Sequence, residues 1–377
     1  MNRFARILTH ALRGVKSLVL IGSLANLGFG PPVITEGQPG GLRMYPEQVW
    51  SAYQLTQPPA VGAKAALVVD LDSGQTLYAK KPNQPLPPAS TAKLMTALVT
   101  VQHANVDDRV TVSARAAGTP GSRMGLVSGE TLTVRDLLYG LLLPSGNDAA
   151  VALAEHVAGS QDAFVRLMNE TGAALGLKNT TFTNPHGLDD PAQVSTAVDL
   201  AALAKAAFAY PLLARIVATP TAQIAGRKLT NTNELLGAYQ GADGVKTGTT
   251  DAAGECLVAS VTRNGHRLLV IVLGSADRYA DARTLLDYAT GGWRWQSVAL
   301  ADNALAWTTG LNGQPYRLQP TERTDIFLPA WQWTLVQSAR QLDVAAPLTS
   351  TLPVGTLTLT LAGRPLGSVP LAVWQGP

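Results

Sequence analysis

Three short motifs supply side chains that could do chemistry together, and each occurs once, in the order Ser90-Thr-Ala-Lys93, Ser145-Gly-Asn147 and Lys246-Thr-Gly248. They provide a hydroxyl nucleophile, an amine to take its proton, a second hydroxyl with an amide, and a second cation to hold an anionic substrate. These groups predict a serine acyl-transfer enzyme that works without histidine. Each pattern alone is common by chance, so the prediction depends on all three motifs and on their order.

The first motif couples Ser90 to Lys93 at the start of an apolar segment. Three residues along a helix place both side chains on one face, so the amine lies within reach of the hydroxyl. Residues 94–101 are apolar almost all round, which is typical of a buried central helix. Burial would lower the pKa of Lys93 toward the range in which a neutral amine accepts a proton. The structural alternative is that Ser90 only caps the helix.

The second motif, Ser145-Gly-Asn147, lies between an apolar segment and a helix that is expected to begin near Asp148. If the motif is catalytic, Ser145 relays a proton to the leaving amine, and Asn147 hydrogen-bonds both the substrate amide and the lysine of the first motif. The structural alternative is a second loop-to-helix cap.

The third motif, Lys246-Thr-Gly248, opens a predicted strand after Ala242-Asp-Gly244. If the motif binds substrate, Lys246 supplies positive charge for a carboxylate and Thr247 binds that carboxylate. Gly248 would then let the substrate backbone approach closely, because glycine has no side chain in the way. The structural alternative is a solvated lysine on an edge strand.

The elements that must position these motifs follow in the order strands, helices, strands, helix. Residues 65–71 and 76–79 predict a hairpin, and residues 112–218 are mainly helical by their apolar spacing. Residues 254–274 return to strands around the turn Asn264-Gly265, and a helix follows over residues 280–288. This order predicts a sheet lobe packed on a helical lobe, with a cleft between them.

The composition changes after about Gly292. Six of the seven tryptophans lie at or beyond Trp293, and short alternating segments such as residues 356–361 are typical of small β-domains. Trp331 and Trp333 would place two rings on one face of a strand, where they could stack on sugars. Core packing is the more common use of such tryptophans.

Length and composition limit the function classes. The chain has 377 residues, 46% hydrophobic and 15% charged, with a formal net charge of +3, which is typical of a globular protein. No basic stretch lies beyond the extreme N-terminus, so nucleic acid is not an expected partner. The five histidines are scattered, so we predict neither a metal nor another cofactor. We expect His186, Asp199 and Asp243 to be loop or capping residues.

The N-terminal residues predict export. Four basic residues precede a charge-free apolar segment over residues 18–29, an arrangement typical of an export signal, which we place in residues 1–30. The alternative is an uncleaved anchor through which the protein would contact the membrane, although the segment is shorter than the roughly 20 residues of a spanning helix. Residues 31–60, rich in Pro, Gly and Gln, predict a linker.

Longer stretches around the motifs resemble a known family. Pro88–Ala97, Leu143–Ala149 and Asp243–Thr250 are similar to the low-molecular-mass penicillin-binding proteins of the D-alanyl-D-alanine carboxypeptidase family, serine peptidase family S11. The resemblance extends over about residues 60–377. It therefore covers the motifs and the tryptophan-rich C-terminal part.

The resemblance implies a fold and an activity. The fold is α/β plus an all-α lobe, the β-lactamase/transpeptidase-like arrangement of serine acyl-enzymes, over residues 61–292, followed by a small all-β C-terminal domain over residues 293–377. The implied activity is removal of the terminal D-Ala from peptidoglycan pentapeptides, with covalent inhibition by β-lactams. The resemblance also implies an exported protein, in the periplasm or at the outer face of the cytoplasmic membrane.

The family mechanism carries over motif by motif. Ser90 would attack the penultimate D-Ala carbonyl with Lys93 as the base. The backbone N–H groups of Ser90 and Thr249 would hold the oxyanion. Ser145 would protonate the departing D-Ala, whose carboxylate is held by the lysine and threonine of the third motif.

Three other functions stay open. A DD-endopeptidase that cuts peptide cross-links uses the same motifs. A β-lactamase shares the nucleophile and the third motif, but the ExxLN segment that carries the deacylating glutamate of class A enzymes does not occur between Ser145 and Lys246. A non-catalytic wall-binding protein is disfavoured because every motif residue is retained.

The sequence departs from the family in two places. Many relatives end in an amphipathic helix that lies on the membrane, whereas this sequence ends at Val373-Trp-Gln-Gly-Pro377 without one, so we do not expect C-terminal anchoring. Thr232 stands between Asn231 and Asn233, where some relatives carry Arg. Substrate contacts at this position are therefore not transferred.

Overall fold

The computed structural model describes residues 46–298, 300, 306–310, 312–343 and 352–374. Its helices are α1 Pro46–Gln54, α2 Lys93–His103, α3 Ala114–Ala117, α4 Val134–Leu142, α5 Asn147–Ala158, α6 Gln161–Ala174, α7 Ala197–Phe208, α8 Pro211–Val217 and α9 Arg278–Gly292. Its strands are β1 Ala65–Asp70, β2 Thr76–Lys80, β3 Arg109–Thr111, β4 Thr131–Thr133, β5 Thr221–Ile224, β6 Arg227–Thr230, β7 Ala242–Thr250, β8 Gly254–Arg263, β9 His266–Ser275, β10 Trp293–Ser297, β11 Trp307–Thr309, β12 Pro315–Pro320, β13 Asp325–Pro329, β14 Val336–Leu342, β15 Gly355–Leu361 and β16 Arg364–Val373.

Five of these strands form a central sheet in the spatial order β2-β1-β9-β8-β7, and each neighbouring pair is antiparallel. Successive side chains of a strand point to opposite faces. On one face, Leu67, Val258 and Ile271 pack against the helical lobe, and on the other, Val68 and Leu257 pack under α9. The strands are therefore buried on both sides, which explains their nearly continuous apolar sequence.

Helix α2 lies in the middle of the helical lobe, with α4, α5, α6 and α7 packed around it. All eight residues from Lys93 to Thr100 are buried, which confirms the predicted central helix. The chain enters α2 through a 3-10 turn, Ala89–Ala92, so the regular helix begins at Lys93 and not at Ser90. The cap position of α2 is Ala92, so the interpretation of Ser90 as a simple cap is wrong. The 3-10 turn contacts β7, and here the helical lobe meets the sheet.

A second β region follows α9. β10 and β13 pair as a ribbon, and the other strands form a five-stranded sheet in the order β11-β12-β16-β15-β14. Its apolar core contains Trp333, Leu357, Leu359 and Leu371, each at most 1% exposed. The sheet lobe, the helical lobe and the all-β region after them confirm the predicted fold class.

Trp331 and Trp333 do not share a strand face. Residues Ala330–Leu335 form a 3-10 segment in which Trp333 is buried. The Trp331 ring meets the Tyr53 ring edge-on, with 5.6 Å between the ring centroids. The predicted strand is wrong here because tertiary burial of the indole overrides the local preference for extended structure.

The segment predicted as a linker is partly helical. Residues 46–54 form α1, and Tyr53 joins this helix to the C-terminal β region through its contact with Trp331. The linker prediction is therefore wrong for these residues. The predicted export signal and the remainder of the linker up to residue 45 lie outside the described residues.

The end of α9 at Gly292 and the start of β10 at Trp293 lie beside the predicted limit between the two domains. The domain limits themselves stay a prediction. Within the described part of the chain, no single helix is both long and apolar enough to cross a membrane.

Candidate active site

Ser90 lies in a tight turn against which two glycine-containing segments pack. The backbone of Ala89 is left-handed, with φ of 48°. A Cβ atom at Gly248 would lie 2.9 Å from Ser90 N, and one at Gly187 would lie 2.1 Å from the carbonyl oxygen of Ala89. Glycine at these two positions therefore lets β7 and the loop at residue 187 approach the Ser90 turn.

Lys93 is fully buried just after this turn, and its amine makes three hydrogen bonds. It donates to Ser90 Oγ at 2.9 Å, to Asn147 Oδ1 at 2.7 Å, and to the carbonyl oxygen of His186. Three bonds use all the donors of a protonated amine. The lysine thus joins the first motif to the second and lies within reach of the Ser90 proton.

The environment of Lys93 favours its neutral form. Burial, and after it the charge of Lys246, hold the pKa of Lys93 well below the ordinary lysine value. The Asp148 carboxylate acts in the opposite direction and limits the shift. A lysine with a lowered pKa can act as a general base, because the unprotonated amine is accessible at lower pH.

Ser145 and Asn147 are positioned by the start of α5. Asn147 Nδ2 donates to the carbonyl oxygen of Pro120 at 2.7 Å, while Oδ1 accepts from Lys93. The cap position of α5 is Gly146, so the interpretation of Ser145 as a helix cap is wrong. Ser145 is 5% exposed, and its Oγ has no hydrogen-bond partner among the described residues. Its hydroxyl is therefore available to a bound substrate.

Asp148 is a supporting residue to which no sequence pattern gave a role. It is fully buried. Its carboxylate accepts hydrogen bonds from the backbone N–H groups of residues 124–126 and of Ala149, at 2.9–3.0 Å. These bonds tie the loop between α3 and β4 to the start of α5, which holds Asn147 in place. Its position directly after the second motif is the only sequence signal that could have drawn attention to it.

Lys246 and Thr247 lie on β7, one of the two edge strands of the central sheet. Lys246 is 1% exposed, and its Nζ donates to the carbonyl oxygen of Thr247 at 3.0 Å. The interpretation of Lys246 as a solvated surface lysine is therefore wrong. Burial, and then repulsion by Arg278, lower the pKa of Lys246 to about 7. Thr247 is 6% exposed, and its Oγ1 lies 2.6 Å from Oγ1 of Thr232.

Arg278 supports the strand that carries the third motif, although no sequence pattern pointed to this residue. Its guanidinium donates to the carbonyl oxygen of Gly248 at 2.9 Å and to Thr249 Oγ1. It also forms an ion pair with Glu255, with 3.1 Å between Nε and Oε2. Arg278 is the first residue of α9, 30 residues beyond Gly248, so only the tertiary fold brings it to this strand.

His186 reaches Lys93 with its backbone and not with its ring. The ring Nδ1 accepts a hydrogen bond from the N–H of Leu188 at 3.3 Å. Burial, and then the charge of Lys93, lower the pKa of His186 to about 4. The imidazole is therefore neutral near pH 7 and serves the loop, as the sequence led us to expect.

The two aspartates expected in loops or caps differ. Asp199 lies in the first turn of α7 and accepts a hydrogen bond from Thr180 Oγ1 at 2.7 Å. Asp243, by contrast, belongs to β7, and its carboxylate pairs with Arg267 at 2.8 Å. The expectation for Asp243 is wrong, because this strand residue lies at a β-bulge. Its carboxylate accepts hydrogen bonds from Ser260 and Thr262 on β8, and Arg267 on β9 compensates its charge.

The three motifs meet where the sheet lobe joins the helical lobe. Lys93 and Asn147 connect the first motif to the second, and the glycine of the third motif lies against Ser90. Among the contacts of the described residues, neither Ser145 nor Lys246 makes a direct hydrogen bond to Ser90. The cluster thus combines a hydroxyl beside a low-pKa amine, an unpartnered second hydroxyl and a second cation. These groups suit attack by serine on a carbonyl carbon of an anionic substrate.

Comparisons with known proteins point the same way. Residues 52–277 match the peptidase S11 family model, described as D-alanyl-D-alanine carboxypeptidase. The chain is 32% identical to D-alanyl-D-alanine carboxypeptidase DacF of Bacillus subtilis, over 82% of this chain and 84% of that protein. It is 34% identical to D-alanyl-D-alanine carboxypeptidase DacC of Escherichia coli, over 89% of each. The crystal structure of penicillin binding protein 5 from Haemophilus influenzae superposes with a TM-score of 0.66 at 32% identity, covering 84% of this chain and 98% of that one.

Proposed function

This chain belongs to the D-alanyl-D-alanine carboxypeptidase family of serine peptidases, and we propose that it uses Ser90 to remove the terminal D-Ala from peptidoglycan pentapeptides. As a member of this family it is a hydrolase of the bacterial cell wall and a penicillin-binding protein. β-Lactams are accordingly proposed to acylate the same serine.

The contact between Lys93 and Ser90 carries the proposal. A serine hydroxyl is a weak nucleophile until a base takes its proton. The Lys93 amine lies 2.9 Å from the hydroxyl, and its lowered pKa favours the neutral form that a base requires. Asn147 holds the amine from the other side, so the base is already aimed at the serine before a substrate binds.

The edge position of β7 supports peptide binding. The outer N–H and C=O groups of an edge strand can pair with an extended peptide. Lys246 and Thr247 on this strand would hold the C-terminal carboxylate of the substrate. Gly248 keeps the strand against the Ser90 turn, so the carbonyl carbon of the penultimate D-Ala would lie near the hydroxyl.

In the first chemical step, Ser90 Oγ forms a bond to the carbonyl carbon of the penultimate D-Ala while its proton passes to Lys93. The negative charge that develops on the carbonyl oxygen is stabilised by the backbone N–H groups of Ser90 and Thr249. The carbon–nitrogen bond then breaks, and the leaving amine takes the proton of Ser145. Ser145 is reprotonated with the proton that Lys93 took from Ser90, so Lys93 is neutral again. Terminal D-Ala departs, and the shortened peptide remains as an ester on Ser90.

In the second step, water hydrolyses the ester. Lys93 is the group best placed to remove a proton from that water, because it remains next to Ser90 Oγ. The shortened peptide leaves, and the serine hydroxyl is restored. We expect the corresponding adduct with a β-lactam to be hydrolysed only slowly, since the deacylating glutamate of class A β-lactamases has no counterpart between Ser145 and Lys246.

The proposed place of action is outside the cytoplasm. Cell-wall-acting relatives support this. Residues 1–30 would direct export or serve as an N-terminal membrane anchor, and the protein would then act in the periplasm or at the outer face of the cytoplasmic membrane. Residues 61–292 would form the catalytic domain and residues 293–377 the C-terminal domain.

Release of D-Ala from a pentapeptide that ends in D-Ala-D-Ala tests the proposed function. We expect the purified protein to release one D-Ala per tetrapeptide formed, and Ser90→Ala to release none. Ser128→Ala, at an exposed serine, is the matched control and should retain full release. Fluorescent penicillin should label the wild type and the control covalently, and labelling of Ser90→Ala would overturn the assignment of the nucleophile.

Two other results would assign the site a different activity. Rapid hydrolysis of nitrocefin by the wild type would indicate a β-lactamase. Cleavage of cross-linked muropeptides in preference to pentapeptides, detected by mass spectrometry, would indicate a DD-endopeptidase.

A further inference from the structure

Thr232 is an exposed residue that contacts the third motif. Its hydroxyl, its backbone N–H and its carbonyl oxygen each make a hydrogen bond. Its Oγ1 lies 2.6 Å from Thr247 Oγ1. Its N–H donates to the carbonyl oxygen of Leu143 at 3.1 Å, and its own carbonyl oxygen accepts from the hydroxyl of Tyr279 at 2.7 Å. Because the backbone is held on both sides, the position of the Thr232 hydroxyl is determined by the fold.

The segment around Thr232 connects two of the motifs. Leu143 lies two residues before the second motif, and Thr247 belongs to the third. The next residue, Asn233, is 2% exposed and donates from Nδ2 to the carbonyl oxygen of Gly244 on β7 at 2.8 Å. Thr232 is thus attached to the strand that carries Thr247 before any substrate binds.

The hydrogen bond between the Thr232 and Thr247 hydroxyl groups limits the directions in which their protons can point. Each hydroxyl has one proton to donate and can accept at its oxygen. Between Thr232 and Thr247 either oxygen can be the donor in the free protein. When Thr247 donates its proton to a carboxylate, it can only accept from Thr232. We propose that Thr232 is a positioning residue that aims the Thr247 proton at the α-carboxylate of the leaving residue.

This inference rests on the proposed function, in which Thr247 contacts the substrate carboxylate, and it adds a residue that strengthens this contact. Hydrogen bonds to a charged acceptor are roughly twice as strong as those between neutral groups. An oriented Thr247 proton therefore contributes more to a substrate whose leaving residue has a free carboxylate than to one that ends in an amide. Thr232 accordingly makes the free carboxylate a specificity requirement.

Steady-state kinetics of two variants on two peptides test the inference. Thr232→Val keeps the β-branched shape without the hydroxyl, and Thr232→Ser keeps the hydroxyl. For a peptide ending in D-Ala-D-Ala with a free carboxylate, we expect Thr232→Val to raise KM about fivefold to tenfold and to change kcat less than about twofold. For the amide-terminated peptide, KM should change less than about twofold, and Thr232→Ser should restore the wild-type values on both peptides. Thr230→Val, at an exposed threonine two residues earlier, is the matched control.

An equal loss on both peptides, or an unchanged KM for the carboxylate, would overturn the inference. Thermal unfolding of each variant shows whether the substitution has destabilised the fold. If Thr232→Val does not fold, the KM values of Thr232→Ser on the two peptides still test the inference. If the wild type released neither D-Ala from the carboxylate peptide nor D-alaninamide from the amide peptide, the proposed function itself would fail. The orienting role would then be measured from acylation by benzylpenicillin and by its methyl ester. If Thr232→Val slows acylation by benzylpenicillin and not by its methyl ester, the orienting role is supported. If the substitution changes the two acylation rates equally, the orienting role is contradicted.

Discussion

Two clusters of this chain differ in the kind of side chain that they bury. The polar cluster lies between the sheet and the helical lobe and consists of Ser90, Lys93, Ser145, Asn147 and Lys246. The apolar cluster lies in the C-terminal β region and consists of Trp333, Leu357, Leu359, Val369 and Leu371. Both lysines of the polar cluster are at most 1% exposed. Burial of hydrocarbon stabilises the folded state, whereas burial of an amine disfavours its protonated, charged form. We therefore expect the apolar cluster to contribute mainly to stability and the polar cluster to the proposed chemistry.

The polar cluster also differs from the buried charge beside it. Four backbone N–H groups compensate the Asp148 carboxylate. The two buried lysines respond to burial with lowered pKa values, and Ser145 Oγ lacks a partner among the described residues. These two lysines and Ser145 are the groups through which the proposed mechanism moves protons or binds charge.

The largest effect is expected from removing the base. Lys93→Met keeps most of the volume of the side chain and deletes the amine. We expect the rate of D-Ala release and the rate of acylation by fluorescent penicillin to fall roughly 10²-fold to 10⁴-fold, the usual contribution of a general base. Lys205→Met, at an exposed lysine on α7, should stay within about twofold of the wild type. A Lys93→Met rate close to the wild type would mean that another group takes the serine proton.

A substitution in the apolar cluster should lower stability and leave the catalytic rate almost unchanged. Trp333→Ala should lower the free energy of unfolding of the C-terminal region by about 3–5 kcal/mol through the cavity that it leaves, measured by denaturant titration. D-Ala release should stay within about twofold. Trp333→Phe should cost less, because the indole N–H is buried without a partner among the described residues. If Trp333→Ala also lowered the rate of D-Ala release, the two clusters would belong to one cooperative folding unit.

Ser145→Ala sharpens the comparison within the polar cluster. The buried hydroxyl has no hydrogen bond to lose among the described residues, so the Tm should stay the same or rise. The rate of D-Ala release should nevertheless fall roughly 10²-fold, because the leaving amine would lack its proton donor. A lowered Tm with an unchanged rate would instead indicate a structural role.

Local patterns in the sequence predict much of this molecule. Ser90 and Lys93 are three residues apart, so their contact follows from a single turn of chain. Long-range support was not predictable in the same way. Arg278 reaches Thr249 from a different element, and only the packing of α9 on the sheet determines that contact. The 3-10 segment around Trp333 was missed because burial in the tertiary structure, not residue alternation, determines it.

The smallest predicted effect is a pH dependence of KM that Lys246 determines. Its pKa is about 7, lowered by burial and then by Arg278, so the side chain is cationic below that pH and neutral above it. A substrate carboxylate needs the cation. KM for a carboxylate-terminated peptide should therefore be level below about pH 6 and rise by up to about tenfold per pH unit above about pH 8.

Lys93 acts on the rate with the opposite sign, because attack needs its neutral form. kcat should therefore increase as the pH rises through its lowered pKa, even while KM worsens. The amide-terminated peptide separates the two effects, since its KM should stay level while its kcat follows the same rise. If KM for the carboxylate peptide also stayed level to about pH 9, Lys246 would be either fully charged or uninvolved in binding. The polar cluster would then contain one perturbed amine and not two, and its contrast with the apolar cluster would rest on Lys93 and Ser145 alone.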